Sequence, residues 1–171
     1  MRIDRKETAA ILLKQDDILI LCHRNPDGDT LGSGYALHHA FKQLGKRSQL
    51  LCSDPIPPKM RYLKGHENHP DFTPRFVMSV DIADEQLFGE ALTPYRGKVD
   101  LAIDHHPSNS MFARETFLDD KAAATCEIIY RLLLNSQTSL QAPTELQQPS
   151  LKMAASFNKS INFFLNLKLL G

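Results

Sequence analysis

The chain has 171 residues, 42% of them hydrophobic, which suffices for one domain with a core or for one domain with a tail. Its 20 basic and 20 acidic side chains cancel, so overall charge gives no reason to expect attraction to nucleic acid or to a membrane surface. The sequence shows neither an uncharged membrane-spanning segment nor an apolar secretion signal. Its three cysteines lie in apolar surroundings, which favours a reducing compartment. From the two observations together we expect a cytoplasmic protein without a membrane partner.

Two elements are predicted before the first polar motif, and one helix is predicted after it. Residues 4–15 have the hydrophobic pattern of an amphipathic helix, and residues 18–22 form a short apolar run bounded by polar residues, which is typical of a buried strand. From Leu31 onwards the apolar spacing is helical again, and it stops at Gly45. The inward side of the first helix is expected to hold Ala9, Ala10, Leu12 and Leu13.

The turn after this first strand carries one imidazole and two carboxylates, those of His23, Asp27 and Asp29. Gly28 allows the backbone to bend sharply between the two aspartates. Two carboxylates held this close repel each other unless a cation lies between them, and imidazole favours Mn, Fe, Co or Zn over Mg or Ca. The alternative is a surface turn in which Asp29 or Thr30 merely caps the following helix.

Three further strands are expected, at residues 48–52, 76–80 and 99–103. Since strand, helix and strand follow one another closely, the first two strands form a βαβ unit and lie parallel. The sequence therefore predicts an α/β fold with a mostly parallel sheet and helices on both faces. Other expected features are a helical turn at residues 59–63, a short helix at residues 85–92 capped by Asp84, weak alternation at residues 111–118 and a longer helix at residues 122–134.

Polar side chains also follow the third and fourth strands. Asp81 comes directly after the third strand, and Asp104, His105 and His106 come directly after the fourth. The two histidines alone would be weak evidence for a site, because neighbouring residues of a strand face opposite ways. Parallel strands, however, place all these groups and the first turn at the same edge of the sheet, where ligands bind. This convergence predicts a dinuclear metal site.

Three motifs of the sequence resemble those of a known family. They read H-x-N-P-D-G-D-x-x-G-S at residues 23–33, V-D-I-A-D at residues 80–84 and D-H-H-P-S-N at residues 104–109. In order and spacing they resemble the DHH phosphoesterase superfamily. The chain is most similar to the nano-RNase A type, which degrades very short RNAs and dephosphorylates 3′-phosphoadenosine 5′-phosphate (PAP). The resemblance covers residues 5–135 and is more specific for the superfamily than for the substrate.

The resemblance implies a role for each metal-binding candidate. His23 and Asp27 would hold one metal ion, Asp29 and His105 the other, and Asp81 would bridge the two. Paired divalent ions activate a water and stabilise the attacking and leaving oxygens of a displacement at phosphorus. The expected cofactor is two Mn²⁺ ions, for which Mg²⁺ or Co²⁺ could substitute.

Three residues are expected beside the reacting phosphate. His106 would contact the substrate phosphate and Asn109 would assist there, while Asp104 would orient a histidine as a hydrogen-bond acceptor. The expected substrates are short RNA or DNA oligonucleotides or a phosphorylated nucleoside. A homodimer is compatible with this expectation.

The sequence departs from the family pattern in its last part. Family members carry a further Asp beyond the helix at residues 122–134, and then a C-terminal domain with a Gly-Gly-His substrate motif, whereas no Asp follows Asp120 here. We therefore expect an incomplete DHH domain at residues 1–135. The tail unlike the family, residues 136–171, is expected to contain a flexible linker rich in Gln, Ser, Thr and Pro and an amphipathic helix, or to be a frameshift product.

These departures leave two classes of function open. The first is a metal-dependent phosphohydrolase, intact or impaired by a weak second metal site. The second is a non-catalytic remnant that binds nucleotide or metal, or an interaction module on a phosphoesterase scaffold; a manganous pyrophosphatase is a lesser alternative. Hydrolysis that requires Mn²⁺ and is lost in the Asp81→Ala variant would separate the two classes.

Overall fold

The computed structural model describes residues 1–64 and 72–139 of the chain. Within these residues helical segments lie between most successive strands, which is the arrangement of an α/β protein. The helices are α1 (Arg5–Lys14), α2 (Gly28–Gln43) and α3 (Thr125–Ser139), and the strands are β1 (Ile18–Cys22), β2 (Ser48–Cys52), β3 (Phe76–Val80), β4 (Leu101–Asp104) and β5 (Glu115–Leu118).

The five strands form one sheet in the order β2-β1-β3-β4-β5, and every neighbouring pair is parallel. The chain passes outward from β1 to β2 and then returns to the other side of β1 to form β3. The order of the strands therefore reverses between β1 and β3. In open α/β sheets, ligands bind outside the carboxyl ends of the strands at such a reversal. The predicted α/β fold with a parallel sheet is confirmed.

Helical segments cover both faces of the sheet, but they differ in kind. Strand residues such as Ile20 and Ile103 pack in one cluster with residues of all three α-helices. Leu21 and Ala102 point to the other face and pack against the region of two short 3-10 helices, Glu85–Leu87 and Thr93–Tyr95. Because the central strand β1 is covered on both faces, its sequence is continuously apolar.

Several boundaries differ from the predicted ones. The strands expected at residues 18–22, 48–52 and 76–80 have these same bounds, whereas β4 begins at Leu101 and ends at Asp104. The helix expected at residues 85–92 is a single short 3-10 helix, Glu85–Leu87. Asp84 accepts a hydrogen bond from the Gln86 N–H at 2.8 Å, so its predicted role as a helix cap is confirmed.

The predicted inward face of α1 was only partly right. Leu12 is buried and Ala9 packs against the core, but Ala10 and Leu13 are exposed. Thr8 takes the buried position one turn before Leu12. Its hydroxyl can be buried because it donates to a main-chain carbonyl of the preceding turn. A polar residue with a local hydrogen bond thus replaces an apolar one on this face.

The second helix begins at Gly28 rather than at Leu31, because Asp27 caps it. The Asp27 carboxylate accepts hydrogen bonds from the N–H groups of Asp29 and Thr30, at 2.9 and 3.1 Å. The alternative in which Asp29 or Thr30 is the cap was therefore wrong. Asp27 serves as the helix cap while it remains a candidate metal ligand.

The third helix begins at Thr125 and ends at Ser139, later at both ends than predicted. The amphipathic helix and most of the linker that we predict in the tail lie outside the described residues. Among residues 1–64 and 72–139, none of the helices combines the length and the apolar character that crossing a membrane requires.

Candidate metal centre

The carboxyl edge of the sheet brings the polar motifs together. The first turn follows β1 and caps α2, Asp81 follows β3, and Asp104 is the last residue of β4. The predicted side chains meet on both sides of Asp81, on which ion-pair contacts from β1 and β4 converge. The five predicted metal ligands in this region are His23, Asp27, Asp29, Asp81 and His105.

His23, Asp27 and Asp81 form one group of donors. The His23 Nε2 atom lies 3.7 Å from Asp27 Oδ1 and 3.8 Å from Asp81 Oδ2. These separations are too long for hydrogen bonds, but one cation can bind both atoms, since metal–ligand bonds of this kind are about 2.0–2.2 Å. His23 Nδ1 lies 2.7 Å from the Arg24 carbonyl oxygen and donates to it, because a carbonyl only accepts. In the neutral ring, Nε2 therefore presents its lone pair to the carboxylates.

His105 makes similar contacts with Asp29 and Asp81, whereas the second set of donor atoms that lie close enough together for one cation consists of Asp81, His105 and His106. The His105 Nε2 atom lies 3.7 Å from Asp29 Oδ2 and 3.7 Å from Asp81 Oδ1. Its Nδ1 atom lies 3.3 Å from the Ala122 carbonyl oxygen, which again fixes the hydrogen on Nδ1. A carbonyl or carboxylate that holds the second nitrogen is usual for histidines that bind metals.

Asp81 belongs to both groups and uses a different oxygen in each, Oδ2 towards His23 and Oδ1 towards His105. Its side chain is only 4% exposed, and its φ of 61° lies in the left-handed region that few residues other than glycine adopt. The Asp81 N–H donates to the Ile103 carbonyl oxygen of β4 at 3.0 Å, which ties this conformation to the sheet. The shared carboxylate is therefore held rigidly between the two groups.

The negative charges around Asp81 favour the binding of a cation. Burial, followed by repulsion from Asp29 and Asp27, raises the pKa of Asp81 to about 6. The neighbouring His23 imidazole, helped by backbone N–H donors, instead lowers the pKa of Asp27 to about 2. In the described part of the chain, the ion pairs of Asp81 are with histidines and not with Lys or Arg. A set of carboxylates and imidazoles with this charge fits divalent Mn, Fe, Co or Zn.

His106 lies close enough to Asp81 and His105 to share a cation with them. Its Nδ1 atom, however, is 2.8 Å from Asp104 Oδ1. Asp104 is fully buried and also accepts from the His105 N–H at 2.8 Å and from the Asn109 amide at 2.7 Å. Because Asp104 acts as an acceptor in all these contacts, His106 Nδ1 carries a hydrogen. Only Nε2 is left to His106 for a substrate or a metal ion.

Both histidines after β4 lie near Asp81, against the expectation that adjacent residues face opposite ways. The strand ends at Asp104, so His105 and His106 are not part of the pleat. Their ring centroids are 4.2 Å apart, and each ring has a nitrogen 3.7 Å from Asp81 Oδ1. The alternation rule holds only within a strand.

The Asn109 side chain is occupied by protein groups. Its amide nitrogen donates to Asp104 Oδ2 at 2.7 Å and to the Ile82 carbonyl oxygen at 3.2 Å. Its carbonyl oxygen accepts from the Met111 N–H at 2.8 Å. In this conformation Asn109 therefore positions Asp104 instead of presenting its amide to a substrate phosphate.

The start of α3 holds two of the aspartates, a feature that we missed in the sequence. The N–H groups of Thr125 and Cys126 donate to the two oxygens of Asp29 at 2.9 and 2.8 Å. The buried Thr125 hydroxyl donates to Asp81 Oδ1 at 2.8 Å. A threonine before an apolar run does signal a helix start, but its partners lie far away in the sequence. Asp29 thus also acts as the cap of α3, which stabilises both the helix and the carboxylate.

Comparison with known proteins agrees with this geometry. The sequence profile of the DHH family, N-terminal domain, matches residues 17–156. The chain belongs to the DHH family. The match covers all three motifs that meet at the carboxyl edge of the sheet.

Curated members of the DHH family resemble this chain over part of their length. The bifunctional oligoribonuclease and PAP phosphatase NrnA of Thermus thermophilus is 32% identical over 123 residues, which are 68% of this chain and 36% of that protein. The protein of the same name from Bacillus subtilis is 23% identical over 124 residues, 71% of this chain and 39% of that protein. The chain thus spans well under half the length of these two relatives.

A solved structure has the same fold as this DHH-family chain. The crystal structure of an exopolyphosphatase-related protein from Bacteroides fragilis superposes with a TM-score of 0.67 and 18% sequence identity. The superposition covers 77% of this chain and 43% of that protein. At this identity the likeness is one of fold alone.

Proposed function

We propose that this chain is a metal-dependent phosphoesterase that hydrolyses short oligoribonucleotides, PAP or both, with two Mn²⁺ ions in its site. The observation that carries the proposal is the pair of donor groups that share the buried carboxylate of Asp81. The names of the curated relatives supply the two substrate classes. We further propose that the protein acts in the cytoplasm, with residues 1–135 as its catalytic part.

In this proposal each metal ligand has a defined role. His23 and Asp27 would hold one ion, Asp29 and His105 would hold the other, and Asp81 would contact both. When bound, two divalent cations supply an activated water and positive charge that stabilises the transition state at phosphorus. The start of α3 keeps Asp29 in place, so binding of the second ion would depend on the position of that helix.

His106 is proposed to bind the substrate phosphate through Nε2. Burial lowers the pKa of His106, but the Asp104 hydrogen bond and the charges of Asp104, Asp81 and Asp29 outweigh this effect and leave the pKa raised. A raised pKa favours the imidazolium form, which makes stronger hydrogen bonds to phosphate oxygens. Asp104 and Asn109 are positioning residues in this proposal, because the first is fully buried and the second is bound to it.

The experiment is a hydrolysis assay of the full chain with a dinucleotide and with PAP, each with Mn²⁺ and with EDTA. We expect release of mononucleotide or phosphate that requires Mn²⁺ and that falls more than about 100-fold in Asp81→Asn, because this substitution alters a ligand common to both ions. The matched control is Asp84→Asn, which changes an aspartate of the same motif that serves as a helix cap. Loss of activity in the control to the same extent would contradict the assignment of Asp81.

One observation favours a second function, that of a non-catalytic metal- or nucleotide-binding module. The resemblance implies a further Asp ligand for the second ion, and this sequence has no Asp after Asp120. Under this alternative the protein binds Mn²⁺ through Asp81 but releases no product from either substrate. Calorimetric titration with Mn²⁺ alongside the hydrolysis assay distinguishes the two functions.

A further inference from the structure

The 3-10 helix Pro58–Lys64 packs against α2, whose first turn carries Asp29, and it contributes none of the predicted metal ligands. Gly28 separates the two aspartates of the first turn, and a Cβ atom built on it would be 3.8 Å from the Met60 Cε atom. Met60 and the buried Leu63 pack in one cluster with residues of the first half of α2. The 3-10 helix is therefore anchored through its apolar side, next to the turn that would hold the metal ions.

The outer side of this helix has a regular arrangement. In a 3-10 helix, side chains three residues apart lie on the same side. Since Met60 and Leu63 face α2, the remaining residues form two outward rows. Tyr62 is 51% exposed, and the three basic side chains are also exposed. The rows consist of Lys59 with Tyr62 and of Arg61 with Lys64; we call these four residues the outer basic surface.

The outer basic surface is positively charged in a chain whose net charge is zero. The segment Pro58–Lys64 contains three cations and no acidic residue. None of these three cations forms an ion pair with another residue of the described ranges. A polyanion that reaches the metal centre from this side would meet cations without competition from neighbouring carboxylates of the segment.

We propose that the outer basic surface binds the part of a single-stranded nucleic acid that extends beyond the reacting phosphate. Tyr62 would stack on a base, and the basic residues would contact the phosphates of the strand. An exposed aromatic among cations is how proteins bind single strands without sequence preference. This inference rests on the proposed function, because the neighbouring metal centre is taken to hold the phosphate that reacts.

The test measures binding separately from hydrolysis. The probe is a fluorescein-labelled, phosphorothioate-linked pentanucleotide, which resists cleavage, and its binding to the full chain with Mn²⁺ is followed by fluorescence anisotropy. A second probe has the same backbone but abasic sites in place of the bases. We expect the base-containing strand to bind at least about fivefold more tightly than the abasic strand, because stacking contributes only to the former.

Substitutions then identify the residues that bind the strand. Tyr62→Ala should weaken binding of the base-containing strand about tenfold and leave the abasic strand nearly unchanged, whereas Tyr62→Phe should retain wild-type affinity. Lys59→Ala should weaken binding of both strands and lower the salt dependence by about 0.7 in log–log slope, the value of one phosphate contact. The matched control is Lys98→Ala, an exposed lysine just before β4 at the opposite edge of the sheet, which should change neither.

Equal affinity for the two probes, no binding of either probe, or an unchanged affinity in Tyr62→Ala would each overturn the inference. A preference for the abasic strand would point instead to a polyanion without bases. Hydrolysis of bis-p-nitrophenyl phosphate with Mn²⁺, a diester without any base, reports on the metal centre alone. Hydrolysis of that diester without strand binding would contradict the inferred role of the outer basic surface but would leave the proposed function standing. Strand binding without any hydrolysis would contradict the proposed function but would leave the role of the surface standing.

Discussion

Two buried aspartates at opposite edges of the sheet show how surroundings determine the role of a residue. Asp17 lies just before β1 at the amino edge, and Asp81 lies just after β3 at the carboxyl edge. Both residues are 3% exposed, and both have a positive φ, 52° for Asp17 and 61° for Asp81. By residue type, burial and backbone, the two are nearly equivalent.

Their partners differ. Asp17 forms ion pairs with Arg47 at 2.7 Å and with Arg75 at 3.4 Å, so its charge is already compensated by groups that stay protonated. Asp81 instead faces three imidazoles at 3.7–3.8 Å and is repelled by two other carboxylates. The first aspartate stabilises the fold, whereas the second destabilises the metal-free protein and is available to a cation.

Metal binding should separate the two aspartates most clearly. At a free Mn²⁺ concentration one hundred times the dissociation constant, binding stabilises the native state by about 2.7 kcal/mol. For a chain of this size we expect the Tm to rise by about 5–10 °C in the wild type and in Asp17→Asn, but not in Asp81→Asn. Differential scanning calorimetry with Mn²⁺ or with EDTA measures the shift. A full shift in Asp81→Asn would show that the ion binds elsewhere.

The next largest effect is expected for Asp17→Asn itself. The substitution leaves two arginines without their carboxylate and should lower the free energy of unfolding by about 2 kcal/mol. This is less than for a fully buried pair, because the Arg47 and Arg75 side chains are 53% and 82% exposed. Urea denaturation in EDTA provides the measurement. The control Asp120→Asn alters an exposed aspartate and should change stability by less than about 0.5 kcal/mol.

Asp81→Asn should have the opposite effect and raise the free energy of unfolding of the metal-free protein by about 1–2 kcal/mol at pH 7.5. The pKa of Asp81 is about 6 in the folded protein and 3.8 in the absence of interactions. The folded state therefore holds this proton more tightly, and the wild type loses stability as the pH rises from about 4 towards 7. Urea denaturation at the two pH values should accordingly show a larger gain in the free energy of unfolding at pH 7.5 than at pH 4.5. An equal gain at the two pH values would contradict the predicted ionisation of Asp81.

The smallest expected effect concerns the contact between α3 and the shared carboxylate. Thr125→Val keeps the shape of the buried side chain but removes the hydroxyl that donates to Asp81. We expect Mn²⁺ affinity to fall about 3–10-fold in calorimetric titrations, and Thr125→Ser to retain it, since a hydrogen bond to a charged group is worth about 1.5–3 kcal/mol and is partly replaced by water. An affinity equal to the wild type in Thr125→Val would mean that the helix does not support the site through this bond.

Four of the five strands could be predicted because their signal is local, whereas β5 showed only weak alternation in the sequence. Residues 18–22 and 76–80 are apolar runs with polar boundaries, and they agree with β1 and β3 in their bounds. The starts of α2 and α3 could not be predicted equally well. Asp27 caps the first of these helices from a position that the periodicity of its apolar residues does not reveal, and Asp29 caps the second across a large distance in sequence.

The sequence by itself determined which residue types stand at the strand ends, and hence that carboxylates and imidazoles meet at one edge of a parallel sheet. Only the tertiary structure decided which oxygen of Asp81 faces which histidine, and that the Nδ1 atom of His106 is hydrogen-bonded to Asp104. The physical reason is that strand formation depends on hydrophobic periodicity along the chain. The direction of a lone pair depends on hydrogen bonds from residues that only folding brings near.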